Sequence, residues 1–205
     1  MDDADEATSS ALTPSDEALI DRLGARGIEP MEPIIASAAV VAPPADVWAA
    51  ISESGNLTNI HPFCERNEVK RWDGARSRDH VYYYSGVHYQ REFRDWFDGA
   101  GYDLVLGPPD ARTALVRWRI TKPAESRTSA DSAGSPGSEF TIKVVALLRD
   151  DVPAAEREHY AEHMIRRALP SYLDSVVCGT AFYAETGTPV TKNQFGTHPI
   201  YSPAD

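Results

Sequence analysis

The sequence predicts an α+β fold in which a curved, seven-stranded antiparallel sheet wraps around a long C-terminal helix. Six runs of alternating polar and apolar residues follow one another between residues 64 and 148, separated mostly by short turn signals. Strands joined in this way must pair antiparallel, because a parallel return needs a crossover of about a dozen residues or more. The last third of the chain instead repeats apolar residues at helical spacing.

The first 32 residues carry nine acidic and two basic side chains. Residues 1–14 are acidic and small, a composition typical of disorder. Residues 15–27 form a candidate short helix with Ser15 as its N-cap and an apolar stripe that includes Leu19. We therefore treat residues 1–32 as an acidic, largely disordered arm that contains a candidate short helix.

One strand and two short helices follow the arm. Residues 34–41 are apolar and β-prone, and two consecutive prolines end this strand. Within residues 45–51, Val47 and Ile51 fall on one helical face. A second helical turn is expected to end near Ile60.

Six further strands are predicted, most of them separated by glycine-containing turns. They cover residues 64–72, 79–85, 88–97, 102–107, 114–121 and 139–148. The one long connection, residues 123–138, is rich in Ser, Ala and Gly and predicts a flexible insertion in a hairpin.

The last third predicts a long helix followed by a tail. Apolar residues recur at helical spacing from Tyr160, and the helix is expected to stop at Gly187. Pro170 lies inside this pattern, and we expect it to kink or split the helix near residues 168–169, because proline lacks a backbone N–H. Residues 188–205 form a tail that carries aromatic side chains.

This order of elements resembles the START/Bet v 1-like (SRPBCC) superfamily, including its polyketide cyclase/dehydrase and lipid-transport families. The matching local features are Pro-Ala-Asp-Val-Trp-Ala at residues 44–49, the helix pair ending near Ile60, and Leu-Pro-Ser-Tyr-Leu at residues 169–173. The resemblance covers roughly residues 33–187 and implies a helix-grip domain with a ligand cavity between sheet and helix. It implies a cavity rather than a reaction, because the superfamily has no universal catalytic residues.

Charge and composition narrow the classes of function. The formal net charge is −11, and no basic excess is present that would neutralise phosphates, so we expect no nucleic-acid partner. No run approaches the roughly 20 apolar residues of a membrane-spanning helix, so we expect no membrane insertion. The acidic N-terminal region lacks the pattern of a secretion signal, which predicts a cytoplasmic protein. Cys64 and Cys178 match no metal or redox motif and are expected to be buried, reduced thiols.

Alternation along each strand separates an inward face from an outward face. The outward face carries charged side chains such as Arg94, Arg117 and Arg119, and we expect it to be solvated. The predicted ligand-binding residues are Glu65, Asn67, Tyr83, Arg91, Phe93, Trp118 and Tyr172, with His61 as a candidate at the cavity mouth.

Arg91 is the most informative of these residues, because a buried charge is costly unless it is paired. One interpretation is an Arg91–Glu65 ion pair that only organises the sheet. The other is that Arg91 anchors a carboxylate, enolate or phenolate of a ligand, with Tyr83 and Asn67 as hydrogen-bonding partners.

Metal and cofactor sites are not predicted. His61 and Cys64 are too few ligands for a structural zinc site. His159 and His163 lie one helical turn apart but lack the glutamate of an H-E-x-x-H motif, and we interpret them as solvated helix residues.

Three functions stay open on the sequence alone. The first is a carrier or sensor, monomeric or homodimeric, for a hydrophobic or aromatic small molecule such as a lipid or polyketide. The second is a cyclase or dehydratase in which Arg91, Tyr83 and Glu65 perform acid–base chemistry on a bound ketone. The third is an interaction module with a vestigial cavity. Binding is favoured, since only His61 or a perturbed Glu65 could titrate near neutrality.

Overall fold

A strongly curved antiparallel sheet forms the centre of the computed structural model of the chain, which describes residues 8–23, 27–122 and 137–204. Its strands are β1 (Ile28–Pro30), β2 (Ile34–Val40), β3 (Cys64–Arg71), β4 (Arg78–Tyr83), β5 (His88–Phe97), β6 (Gly101–Leu106), β7 (Ala114–Thr121) and β8 (Ser138–Arg149). From β3 to β8 each strand pairs with the next along the chain, and the far edge of β8 pairs with both β1 and β2.

All seven predicted strands are present, and β1 adds an eighth within the described residues. β1 lies in the stretch that the sequence assigns to the arm. It extends the β2 edge, because Met31 still donates its N–H to the Ala146 carbonyl at 2.9 Å and thereby keeps the chain alongside β8. Pro33, which has no N–H to donate, stands just before β2.

The helices are α1 (Pro14–Arg22), α2 (Pro44–Ser52), α3 (Leu57–Ile60), α4 (Ala154–Tyr160) and α5 (Leu169–Thr186), with a 3₁₀ turn at Gly74–Arg76. A π-helical segment, Ala161–Ala168, joins α4 to α5. The split predicted from Pro170 is therefore present as a change of helix type at residues 168–169. α5 ends at Gly187, which adopts a left-handed conformation with φ of 65°.

The main core lies between the concave face of the sheet and helices α2, α3 and α5. Its fully buried members include Phe63, Phe93, Phe140, Ile51 and Leu173. Each such side chain contributes about 1.5–3 kcal/mol through burial. This core holds α5 across the sheet, as the predicted helix-grip arrangement requires. Of the two cysteines, Cys64 is buried as predicted, but Cys178 is exposed, because it lies on the solvent side of α5.

The convex face of the sheet is covered by α1 and is not solvated there, contrary to the sequence-based expectation. Leu19 of α1 packs on Val105, Leu115, Val145 and Leu147. Thr13 begins the helix with a capping box and is itself buried, so the expected disorder of residues 1–14 does not extend to it. Residues 1–7, and residues 123–136 of the predicted insertion, lie outside the described residues.

A buried ionic network links α1 to this convex face. Asp16 contacts the Lys143 Nζ at 2.8 Å and the Arg117 Nε at 3.1 Å. Asp103 contacts Arg117 at 3.5 Å and Arg119 at 2.7 Å. Arg117 and Arg119 point outward as predicted, but each is only 3% exposed.

Candidate functional site

A cavity of about 100 Å³ lies between the concave face of the sheet and the helical layer. Strands β4 to β8 form one wall, and α5 with the π-helical segment forms the other. Tyr160 is 39% exposed and lies at the rim of the cavity, while Met164 and Ile165 of the π-helical segment line its interior. The lining is mostly apolar, and the cavity lies between sheet and helix, as the resemblance implied.

Five of the eight residues proposed from the sequence line this cavity. These are Tyr83, Arg91, Trp118 and Tyr172, together with His61, which is only 3% exposed and lies in the cavity wall, not at the mouth where it was predicted. Phe93 is buried in the adjacent core, and Asn67 lies behind Arg91, where its Oδ1 accepts a 3.5 Å hydrogen bond from the Arg91 Nη2.

Glu65 is placed away from the cavity and is exposed. The pairing of β3 with β4 shifts register between Cys64 and Arg66, so that Cys64 pairs with Tyr83 and Arg66 with Tyr82. This bulge inserts Glu65 as an extra residue and breaks simple alternation. The proposed Arg91–Glu65 ion pair is therefore wrong.

Asp79 is the partner of Arg91, and it stands directly opposite Arg91 in the β4–β5 pairing. The Arg91 Nε donates to the Asp79 Oδ1 at 2.8 Å, and the Nη2 donates to the Asn56 Oδ1 at 3.1 Å. Burial disfavours the guanidinium charge, but the Asp79 carboxylate outweighs it and raises the pKa of Arg91 above its ordinary value. The positive charge is thus balanced inside the protein.

A chain of hydrogen bonds crosses the cavity wall from His61 to Tyr83. The His61 Nδ1 accepts the backbone N–H of Phe63 at 3.1 Å. A neutral imidazole with an accepting Nδ1 carries its proton on Nε2, which donates to the Tyr172 hydroxyl at 2.9 Å. The Tyr172 and Tyr83 hydroxyls are 2.7 Å apart, and either can donate to the other.

One donor hydrogen in this hydrogen-bond chain takes no part in the bonds between its three side chains. His61, Tyr172 and Tyr83 together carry three N–H or O–H hydrogens, and the two bonds between them use two. The remaining hydrogen belongs to one of the two phenols, both of which line the cavity. The site can therefore donate one hydrogen bond to an oxygen or nitrogen acceptor of a bound molecule.

The side chains of His61, Tyr83 and Tyr172 are all neutral at pH 7. Burial, reinforced by the charge of Arg91, lowers the pKa of His61 to about 3. Burial raises the pKa of Tyr83 well above that of an ordinary phenol. Burial also raises the pKa of Tyr172, an effect that the hydrogen bond with Tyr83 partly offsets.

Three residues of the site were not predicted from the sequence. Asp79 could have been found, since it lies two residues before the inward Val81 and so shares its face. Asn56, whose Oδ1 accepts from Arg91, lies between α2 and α3, where no sequence pattern indicates its direction. Tyr201 comes from the tail, whose position no local pattern indicates, yet it lines the cavity.

No metal centre is formed by the part of the chain that the structure describes, where no three His, Cys, Asp or Glu side chains cluster as ligands. His159 and His163 are exposed, with ring centroids 4.3 Å apart. Across residues 8–23, 27–122 and 137–204, no helix has the length and apolar character to cross a membrane.

Solved structures share this architecture at low sequence identity. TTHA0849 from Thermus thermophilus is 15% identical, with a TM-score of 0.53 over 74% of this chain and 96% of that one. Truncated norcoclaurine synthase from Thalictrum flavum is 12% identical, with a TM-score of 0.52 over 75% of this chain and 93% of that one.

The chain has the START/Bet v 1-like helix-grip fold. SA2116 from Staphylococcus aureus, a protein of unknown function, is also similar to this chain, with 10% identity and a TM-score of 0.50 over 78% of this chain and 96% of that one. No family model matches the sequence, and no curated protein sequence matches it. At these identities the likeness establishes the fold alone.

Proposed function

We propose that the protein binds a small, neutral, largely apolar molecule with one oxygen acceptor, as a carrier or sensor. The observation that carries this proposal is the spare phenolic donor of Tyr83 and Tyr172 in an otherwise apolar wall. The hydrogen bonds among His61, Tyr172 and Tyr83 do not use this donor, and an acceptor on a ligand would satisfy it.

The size of the cavity favours a compact ligand. An engineered apolar cavity of about 150 Å³ takes up benzene, and the cavity here measures about 100 Å³. The cavity is therefore far too small for a long-chain lipid, and a single-ring ketone or phenol would keep part of its surface at the rim beside Tyr160. Of the candidate ligand classes from the sequence, this favours an aromatic or polyketide-like metabolite.

The charge of the site favours a neutral ligand over an anion. Asp79 has no exposed side-chain surface and already balances Arg91. An anionic ligand would have to compete with this carboxylate in a desolvated place. Arg91 therefore serves mainly to shape the site, and the phenols provide the polar contact.

The alternative is a cyclase or dehydratase acting on a polyketide-like substrate. The likeness in fold to a protein named norcoclaurine synthase keeps this alternative open. The protonation states weigh against it, because no member of the His61–Tyr172–Tyr83 chain titrates near pH 7. Cytoplasmic location, a monomeric or homodimeric state and the division into residues 1–32, 33–187 and 188–205 stay predictions.

A matched pair of probes tests the binding proposal. Acetophenone and α-methylstyrene have nearly the same shape, but only acetophenone carries an oxygen acceptor. We expect calorimetry or ligand-observed NMR to show binding of both, with acetophenone preferred about fivefold, which corresponds to a hydrogen bond of about 1 kcal/mol.

Removing both phenols alone would leave the Nε2–H of His61, which also lines the cavity, free to donate. The triple variant His61→Met/Tyr83→Phe/Tyr172→Phe removes all three donors, and it should lose this preference and still bind α-methylstyrene. Tyr84→Phe is the matched control, because Tyr84 is 38% exposed and does not line the cavity. Failure of both probes to bind the wild-type protein, or an unchanged preference in the triple variant, would refute the proposal.

A further inference from the structure

Residues 188–204, which follow α5, are held across the site by backbone hydrogen bonds to the domain. The Val190 N–H donates to the Asn59 carbonyl at 2.8 Å, and the Asn193 N–H donates to the Pro62 carbonyl at 3.0 Å. Farther on, the Ser85 N–H donates to the Tyr201 carbonyl at 3.1 Å. Residues 188–204 therefore run from the α3 region to the β4–β5 turn.

His198 fixes the turn that presents Tyr201. Its Nδ1 accepts the backbone N–H groups of Ile200 at 3.3 Å and Tyr201 at 3.2 Å. Its Nε2 then carries the proton and donates to the Ala168 carbonyl at 3.1 Å. Ala168 ends the π-helical segment, and His198 is 1% exposed, so one buried ring joins the tail to the helical wall of the cavity.

Tyr201 reaches the cavity beside the two phenols that hold the spare donor. Its ring centroid lies 4.5 Å from that of Tyr83 and 4.8 Å from that of Tyr172. It is half-buried and forms part of the cavity lining. A ligand that accepts a hydrogen bond from Tyr83 or Tyr172 must therefore fit next to the Tyr201 ring.

We propose that Tyr201 is a specificity-determining residue that limits the ligand to about one ring, and that His198 is its positioning residue. This inference rests on the proposed function, because it concerns the same cavity. Removing the Tyr201 ring extends the cavity toward the tail, whereas removing only its hydroxyl leaves the wall in place.

The test compares acetophenone with its two-ring counterpart, 2-acetonaphthone. Wild-type protein should prefer acetophenone. We expect Tyr201→Ala to shift the ratio of the two Kd values at least tenfold toward 2-acetonaphthone, and Tyr201→Phe to keep the wild-type ratio. Tyr84→Ala, an exposed tyrosine outside the cavity, is the control and should also keep it.

His198 is tested by the same ratio, which a merely structural role would not move. His198→Ala should shift the ratio in the same direction as Tyr201→Ala. His198→Asn should return it toward the wild-type value, since the Asn Oδ1 can accept the same two backbone N–H groups.

The outcomes separate this inference from the proposed function. If wild-type protein binds acetophenone but Tyr201→Ala leaves the ratio unchanged, the role of Tyr201 is refuted while the binding function stands. If only Tyr201→Ala binds the probes, the Tyr201 ring excludes even a one-ring ligand, and both the one-ring limit and the proposed function are refuted. If no protein binds any probe, both proposals fail.

Discussion

Arg91 and Asp79 place opposite charges on adjacent strands, with side chains 4% and 0% exposed. Because one buried charge without its partner is costly, we expect Arg91→Met to lower the free energy of unfolding by about 3–5 kcal/mol. Replacing both residues, as Arg91→Met/Asp79→Val, should recover at least half of this loss. Urea unfolding measures both values.

The exposed pair Arg66–Glu68 is the control, with side chains 56% and 37% exposed. Arg66→Met should cost less than about 1 kcal/mol. Adding Glu65→Ala to Arg91→Met should recover nothing, since Glu65 lies outside the pair. Equal recovery from Glu65→Ala and Asp79→Val would contradict the partner assigned here.

His61 makes stability depend on pH. Burial, reinforced by the charge of Arg91, lowers its folded-state pKa to about 3, below the unfolded value of about 6.5. The folded state therefore binds fewer protons, so this stability is complete above pH 6.5 and is lost as the pH falls toward 3. The expected slope from this one group is about 1.4 kcal/mol per pH unit.

His61→Asn should flatten the dependence of unfolding free energy on pH between about pH 6 and 4, while other titrating groups still contribute in both proteins. Denaturant titrations of both proteins at each pH isolate the difference between the slopes. Parallel curves would show that His61 is already protonated in the folded state or that it is not buried.

At the scale of elements, α1 is held by charge as well as by apolar packing. Burial raises the pKa of Asp16, but hydrogen bonds from Lys143 and Thr13 and the charge of Arg117 outweigh it and lower the pKa. We expect Asp16→Ala to cost about 3–5 kcal/mol, because it leaves the buried Lys143 without this carboxylate.

Asp21→Ala is the matched control for Asp16, because Asp21 is an exposed acid on the same helix. It should change the unfolding free energy by less than about 0.5 kcal/mol. Hydrogen exchange of α1 amides should accelerate in Asp16→Ala and stay slow in the control. Similar protection in both variants would show that α1 is held by Leu19 and its apolar neighbours alone.

The elements themselves could be predicted because their signals are local. Alternation and turn glycines located the strands, and the missing N–H of Pro170 located the change of helix type. Contacts between distant segments left no such signal. The bulge that places Glu65 outside the cavity depends on how β3 pairs with β4. The burial of Arg117 depends on α1, which covers the convex face of the sheet.

At the scale of the whole molecule, the site also combines residues that local patterns predict with residues that only the folded chain brings there. Tyr83, Arg91 and Trp118 were predictable because strand parity decides which side of the sheet they face. Tyr201 was not predictable, because it reaches the cavity only when residues 188–204 pack back across the domain. The size of the cavity likewise follows from how closely α5 approaches the rest of the molecule.

Gly179 allows α5 to pack closely against α3, because a Cβ at this position would lie 2.3 Å from the Ile60 carbonyl oxygen. α5 thus packs against the end of α3 at backbone distance, which places Tyr172 and Val176 in the cavity wall. Gly179→Ala should destabilise the protein by about 1–3 kcal/mol through overpacking, even though alanine favours the helix itself.

Cys178→Ala is the neighbouring control, since Cys178 is exposed on the same helix. It should leave the melting temperature nearly unchanged, whereas Gly179→Ala should lower it by several degrees. Because the clash pushes α5 outward, Gly179→Ala should also weaken acetophenone binding by more than the control does. A Gly179→Ala protein as stable as wild type would show that α5 can tilt away from Ile60 without loss of packing.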